Sequence, residues 1–309
     1  MRKIDKKNGN VCFNDDEHVY WDLNNPNDKF ISVTTLIEKY SQGFDKNFWS
    51  AYKALEKVMS PEQFRMEKGR LLKTKKYDID ELVDIYDIDK DAFNNAQQDI
   101  LDEWQKKNIE ACKRGTKIHS EMEHSFTNRK HTDLKRFGIG GKFVVNTNDS
   151  LEKQRQTLES VDKGVFPEFL IYSVSKDGIL KLAGQIDLLV KDGNDIYILD
   201  FKTNNELKFH SNFNPNTKKN QTMKDPLTTI EDCNMGHYTM QLSTYAWMVQ
   251  KINPNFKIKK LIIVHHDHSG EINLYELEYK KAEVERMLRD YKKKLILKDR
   301  ADKRKAIKF

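Results

Sequence analysis

The stretch that most constrains this chain is LAGQIDLLVKDGNDIYILDFKT, residues 182–203. Two runs rich in Ile, Leu, Val and Tyr flank the polar segment Lys191–Asp195, whose Asp-Gly and Gly-Asn steps mark a tight β-hairpin turn. Into these runs are set Asp187, Asp200 and Lys202, residue types that strands disfavour. With Gly193-Asn194 as the turn, Asp192 pairs with Asp195, and counting outward puts Asp187 opposite Asp200. A turn at Asp192-Gly193 makes that pair diagonal but keeps both carboxylates on one face, which Lys202, two residues beyond Asp200, shares. One such carboxylate reads most simply as a solvated charge at a hairpin end. Two opposed like charges are destabilising on a sheet. With a lysine beside them, they call for a divalent cation between the carboxylates and an ammonium next to it.

At 309 residues, 38% hydrophobic and 33% charged, the chain has the composition of a globular protein with a sizeable core. It holds no run of eighteen apolar residues, so no membrane helix is expected, and its start, MRKIDKKNGN, lacks the apolar core of a secretion signal. Cys12, Cys112 and Cys233 are isolated and odd in number, which points to a reducing, cytoplasmic compartment. They cannot supply the four thiolates of an iron–sulfur cluster. The net charge of +6 is unevenly placed: residues 280–309 carry thirteen Lys/Arg against five Asp/Glu. A basic terminal helix of this kind suits a nucleic-acid backbone, or is simply a solvated helix.

Read in order, Val11–Tyr20 and Lys29–Thr34 form a small hairpin around Asn24–Asp28, after which Ser32 or Thr34 caps a helix. Residues from Gly43 to about Ser160 read as a helical lobe with a glycine-rich loop, Phe137–Ser150, and with Trp49, Tyr52, Trp104 and Phe126 as core aromatics. Within the lobe, His119 and Glu123 lie one helical turn apart, beside an apolar stripe of Ile118, Met122 and Phe126. From Val165 the period changes. VFPEFLIYSV is a strand with Glu168 set in an apolar run, followed by the hairpin, a polar segment Asn204–Asn234, a helix from His237, two strands joined at Ser269-Gly270, and the basic helix. The expectation is therefore an α/β fold with a mixed central sheet flanked by helices, divided as an N-terminal hairpin and helical lobe (1–160) and a core (161–309), integrated into one domain. His265-His266-Asp267-His268 resembles a zinc site, but neighbours on a strand point to opposite faces and no Cys is near, so it more simply ends a strand.

The order of motifs resembles the PD-(D/E)XK nuclease superfamily, in its RecB-type branch. Gly115-x3-His119-x3-Glu123 comes first, then Glu168 on a strand, Gly184-x2-Asp187, Asp200-x-Lys202-Thr203, and finally Gln241-x3-Tyr245. The plan is similar to that of mitochondrial genome maintenance exonucleases and phage-encoded relatives; His18-x-Tyr20 followed by Ser32-Val-Thr-Thr also looks like the phage members, which would place the protein in a host cytoplasm. The four-cysteine cluster of some relatives is missing, as is any Gly-x4-Gly-Lys-Ser/Thr motor signature, so a helicase or recombination partner would be a separate chain.

The resemblance implies a restriction-endonuclease-like core and a metal-dependent DNA exonuclease acting on single-stranded or free ends in recombination, repair or replication. A structure-specific endonuclease and an inactive nuclease-fold DNA-binding protein are the alternatives. By the same resemblance, Asp187, Asp200, His119 and the Phe201 carbonyl hold Mg²⁺ or Mn²⁺, one ion or two. Lys202 orients or deprotonates the attacking water and meets the charge of the transition state; Glu168 serves a second ion or a water. Gln241 and Tyr245 hold phosphate or the Lys–Asp network. Lys208, Lys218 and Lys219, in the first half of the polar segment, are expected to contact DNA as part of a mobile loop beside the catalytic strand.

Overall fold

The fold is taken from a computed structural model that describes residues 3, 4, 6–127, 129–146, 154–214 and 218–306. The chain opens with four strands, β1 (Lys6–Asn8), β2 (Val11–Asn14), β3 (Val19–Asp22) and β4 (Asn25–Ser32), and helix α1 (Val33–Glu38). Three helices follow, α2 (Lys46–Val58), α3 (Pro61–Thr74) and α4 (Ile79–Tyr86), then the long α5 (Lys90–Thr127). Next come β5 (His131–Leu134), β6 (Ile139–Val145), α6 (Gln154–Ser160), β7 (Lys163–Val174), β8 (Lys181–Asp192) and β9 (Asp195–Lys202). A two-residue pair, β10 (Phe213–Asn214) and β11 (Lys219–Asn220), precedes α7 (Asn234–Ile252), β12 (Lys257–His266), β13 (Ile272–Leu277) and α8 (Lys281–Ala306).

The chain divides into two compact units, Met1–Gln42 with Lys117–Phe309, and Gly43–Thr116. The second unit is helical. Its core joins Phe48, Leu55, Phe64, Leu71, Leu82, Phe93 and Ile100, with Trp49, Tyr52 and Trp104 packed against it. Local signals set its helix ends: Ser60 caps α3, Gln63 bonds back to the Ser60 backbone, and Pro61 fills the first turn, where no amide partner is needed.

Among the described residues, the first unit holds one mixed sheet of eleven strands, restriction-endonuclease-like in its helix-flanked plan. The N-terminal strands and His119 lie here, in one unit with the strands after residue 160, because β4 pairs in parallel with β8 and the end of α5 buries Met122 and Phe126 against Leu188, Leu199 and Phe201. Phe126 is thus a core residue of the sheet unit. Val11–Tyr20 is itself two strands, β2 and β3, rather than one arm of a hairpin. The glycine-rich stretch is also not a plain loop. Gly138 turns at φ +71, and Ile139 and Phe143 are buried from β6, which pairs with β7. Residues 147–150 of that stretch lie outside the described ones, as do Pro215 and the chain end from 307 on.

The parallel pair β9–β12 is joined through α7, which covers one face with Met240, Leu242, Ala246 and Val249. In the polar segment 204–234, the second half is packed: Met223, Leu227 and Ile230 enter the main core. Among the described residues, no helix is long and apolar enough to cross a membrane.

Candidate active site

Strand β8 has β7 along one edge for its whole length, but two partners share its other edge. β4 pairs with it at Leu182 and Ala183, and β9 from Leu188 to Asp192. Between them, from Gly184 to Asp187, a gap opens beside β8, and the site lies there. A crevice where strand neighbours change is a common place for ligands in α/β sheets.

The hairpin turns at Gly193-Asn194, with Asp192 paired to Asp195, and its ladder runs out to Leu188–Leu199. One step further, Asp187 faces Asp200. On the other side, Pro167 pairs with Leu188 and Phe169 with Ile186, which leaves Glu168 facing Asp187. Glu168, Asp187 and Asp200 therefore form a row across three neighbouring strands. Strict alternation does not run through that row. Phe166 and Phe169 enter the same core, as do Ile186 and Leu189, so both strands slip one step at Glu168 and Asp187. Glu168 adopts φ +50, a left-handed conformation that costs a non-glycine residue about 1–2 kcal/mol. Backbone strain of this kind gathers at functional sites.

Asp187 Oδ2 accepts the Phe201 N–H at 2.7 Å and lies 3.5 Å from His119 Nδ1. His119 Nε2 lies 2.9 Å from the Phe201 carbonyl oxygen, which can only accept, so Nε2 carries the hydrogen. In the neutral ring, Nδ1 then turns a lone pair toward a carboxylate oxygen. Either a proton or a metal ion must stand between them. One donor atom each from His119, Glu168 and Asp187 lie within 4.8 Å of one another, so this nitrogen–oxygen set could hold a divalent ion.

Asp200 is committed elsewhere. Its Oδ2 meets Lys202 Nζ at 2.5 Å, and its Oδ1 accepts from Gln241 Nε2 at 3.0 Å. The Lys202 ammonium also stands 4.8 Å from the centre of the Tyr238 ring. Gln241 and Tyr238 come from α7 on one face of the sheet, and His119 from α5 on the other. Gly184 is required by close approach: a Cβ there would sit 2.6 Å from Cε1 of Tyr245.

Burial pushes the Asp187 carboxyl up to about 6, and the Asp200 charge adds to this against the pull of His119, Lys202 and the Phe201 amide. Burial alone would lower both His119 and Lys202, but Asp187 and Asp200 outweigh it and raise both. Burial raises the Tyr245 hydroxyl well above its ordinary value.

The structure brings His119, Glu168, Asp187, Asp200, Lys202, Gln241 and Tyr245 to one pocket. Phe201 is not among the lining residues, but its carbonyl meets Nε2 of His119, which is. Glu123 is not among the lining residues, and Lys208, Lys218 and Lys219 stand exposed on the polar segment outside it. His265 faces Lys202 across the β9–β12 pair and bonds the Asn204 carbonyl at 2.7 Å, while β12 ends at His266. Phe13, Asp15, His18, Tyr20, Ser32, Thr34 and Gln185 also line the pocket. His18, Tyr20 and Ser32–Thr34 stand out in the sequence without a role, whereas Phe13, Asp15 and Gln185 do not; for Gln185 the signal was a second polar residue in the strand carrying Asp187.

Residues 62–306 match the family model of the PD-(D/E)XK nuclease superfamily. No curated protein matches the chain. Among solved structures, a protein named SSO0001 is 15% identical over 84% of this chain and 73% of that one, with a TM-score of 0.33. A protein from Eubacterium rectale, provisionally named an exonuclease, is 10% identical over 86% and 80%, with a TM-score of 0.32. Likenesses of that size carry no argument about function.

Proposed function

Since this chain belongs to the PD-(D/E)XK nuclease superfamily, we propose that it is a metal-dependent deoxyribonuclease of the RecB-type branch. It acts as an exonuclease on single-stranded DNA ends, in recombination, repair or replication. The observation that carries this reading is the row Glu168–Asp187–Asp200, buried at both ends and nearly so at Asp187, with His119 on one side and Lys202 on the other.

Mg²⁺ or Mn²⁺ would be held by His119, Glu168 and Asp187, with Asp200 and the Phe201 carbonyl at its margin. When bound, such an ion offsets phosphate charge and makes water acidic enough to attack. The remaining work belongs to the chain. Lys202, kept charged by Asp200 and Asp187, donates to a phosphate oxygen and orients the attacking water, and it meets the negative charge that grows as the phosphodiester opens. As a raised ammonium it acts as a donor rather than as the base. Asp200 holds Lys202 in place, and Gln241 holds Asp200. Tyr245, seated against Gly184, closes the floor. Exposed Lys208, Lys218 and Lys219 would follow the DNA backbone.

The test is digestion of end-labelled linear and closed-circular single-stranded DNA with Mg²⁺ or Mn²⁺. Linear DNA is expected to be degraded and circles spared. Rapid cutting of circles would instead make the protein an endonuclease, and binding without cleavage of either would make it an inactive nuclease-fold DNA binder.

A further inference from the structure

The side chain of Gln185 is the one oddity of the pocket that the proposed chemistry does not use. It sits on β8 two residues before Asp187, beside the gap, and lines the same pocket as His119, Glu168 and Asp187. Its Oε1 is shut off from solvent and meets no hydrogen-bond donor among the described residues. Its register partner Leu170 and the neighbouring Ala183 are hydrocarbon side chains and can donate nothing to it. A buried carbonyl oxygen left without a donor costs about 1–3 kcal/mol, and native structures keep few of them. A hydrocarbon side chain would pack against Leu170 and Ala183 without that cost.

An acceptor in a pocket lined by carboxylates is satisfied by a cation. Amide carbonyls are ordinary ligands for hard divalent ions, alongside carboxylates and water. We infer that the side-chain carbonyl of Gln185 is an oxygen donor to the divalent cation held by His119, Glu168 and Asp187. The inference rests on the reading of that site given above. It adds a neutral oxygen, which strengthens the hold on the ion without adding a further negative charge to a pocket that Asp15, Glu168, Asp187 and Asp200 already line.

The experiment titrates MnCl₂ into the full chain by calorimetry, without DNA, and records melting curves with and without MnCl₂. Gln185→Leu should bind Mn²⁺ about 10-fold more weakly, melt at or above the wild-type temperature without metal, and gain less from added Mn²⁺. Gln185→Glu should melt lower without metal and bind Mn²⁺ at least as tightly as the wild type. A merely structural glutamine gives another pattern, in which Gln185→Leu lowers the metal-free melting temperature and leaves Mn²⁺ binding unchanged; that result overturns the inference. Should Gln185→Leu fail to fold, weaker Mn²⁺ binding by Gln185→Glu overturns it equally. Asp187→Asn separates the two layers. If it abolishes Mn²⁺ binding while Gln185→Leu does not weaken it, only the role of Gln185 falls. If it binds Mn²⁺ like the wild type, the site reading falls with it.

Discussion

The β8–β9 hairpin carries two facing aspartate pairs, made of the same residue type on the same two strands. At the turn end, Asp192 and Asp195 each have a lysine of their own. Lys163 Nζ lies 2.8 Å from Asp192, Lys259 Nζ lies 3.3 Å from Asp195, and the two carboxylates are 31% and 33% exposed. At the far end, Asp187 and Asp200 are only 11% and 2% exposed, and Lys202 is the one lysine among the lining residues, against Asp15, Glu168, Asp187 and Asp200. Opposed like charges do not by themselves make a site. Burial with too little counter-charge does, because the shortfall can be met only by protons or by a cation from outside.

The comparison breaks first at its lysines. Lys202→Ala should slow DNA hydrolysis by about 10²–10³-fold, the loss typical of a charged group that serves a transition state. Lys163→Ala and Lys259→Ala, at the turn end, should stay within about two-fold of the wild type. Rate measurements with end-labelled DNA would show whether the two ends differ as the burial pattern requires.

Acidity offers the next test, on metal-free protein. The folded carboxyl of Asp187 rises from 3.8 to about 6, so between those values the folded state holds a proton that the unfolded state has released. Stability should therefore fall as pH rises from about 4 through 6, by up to about 3 kcal/mol. His119, also raised, adds to the loss as pH climbs through its own elevated value. Denaturant melts across this range should show the slope in the wild type and in Asp192→Asn, but not in Asp187→Asn. Added Mn²⁺ should offset the loss, because a bound ion takes the place of the protons these ligands give up.

Two smaller effects sharpen the far end. Gly184→Ala drives a methyl group into the Tyr245 ring and should cost about 1–3 kcal/mol, read from a chemical melt. At Glu168, glycine accepts without strain the left-handed backbone that glutamine, like glutamate, adopts only at a cost. Glu168→Gly should be more stable than Glu168→Gln by about 1 kcal/mol, although both should lose activity.

How much of this could be read beforehand follows the range of each interaction. The hairpin register depends on turn chemistry and on counting two residues at a time, both local, and the pairing of Asp192 with Asp195 follows from them. The convergence of His119, Gln241 and Tyr245 on the hairpin was legible only through the order of motifs, because no local pattern says that a helix far upstream packs its end beside Phe201. The gap beside Gly184–Asp187 was not legible at all. It arises because β4, distant in sequence, takes part of the edge of β8 that β9 leaves free. The one-step slip at Glu168 was hidden too, since a left-handed glutamate has no signature in a strand of Phe, Leu and Ile. Glycines misled in the opposite direction: those around Gly138 read as a loop, while Ile139 and Phe143 were already placing a strand in the core.

The most direct measurement is the rate of hydrolysis of labelled linear single-stranded DNA, with Mn²⁺, by the wild type, Asp187→Asn and Asp192→Asn side by side. If the buried pair is the catalytic one, Asp187→Asn falls by at least about 10²-fold, Asp192→Asn stays within about two-fold, and a chelator stops the wild type. Cleavage by Asp187→Asn at the wild-type rate would contradict the account.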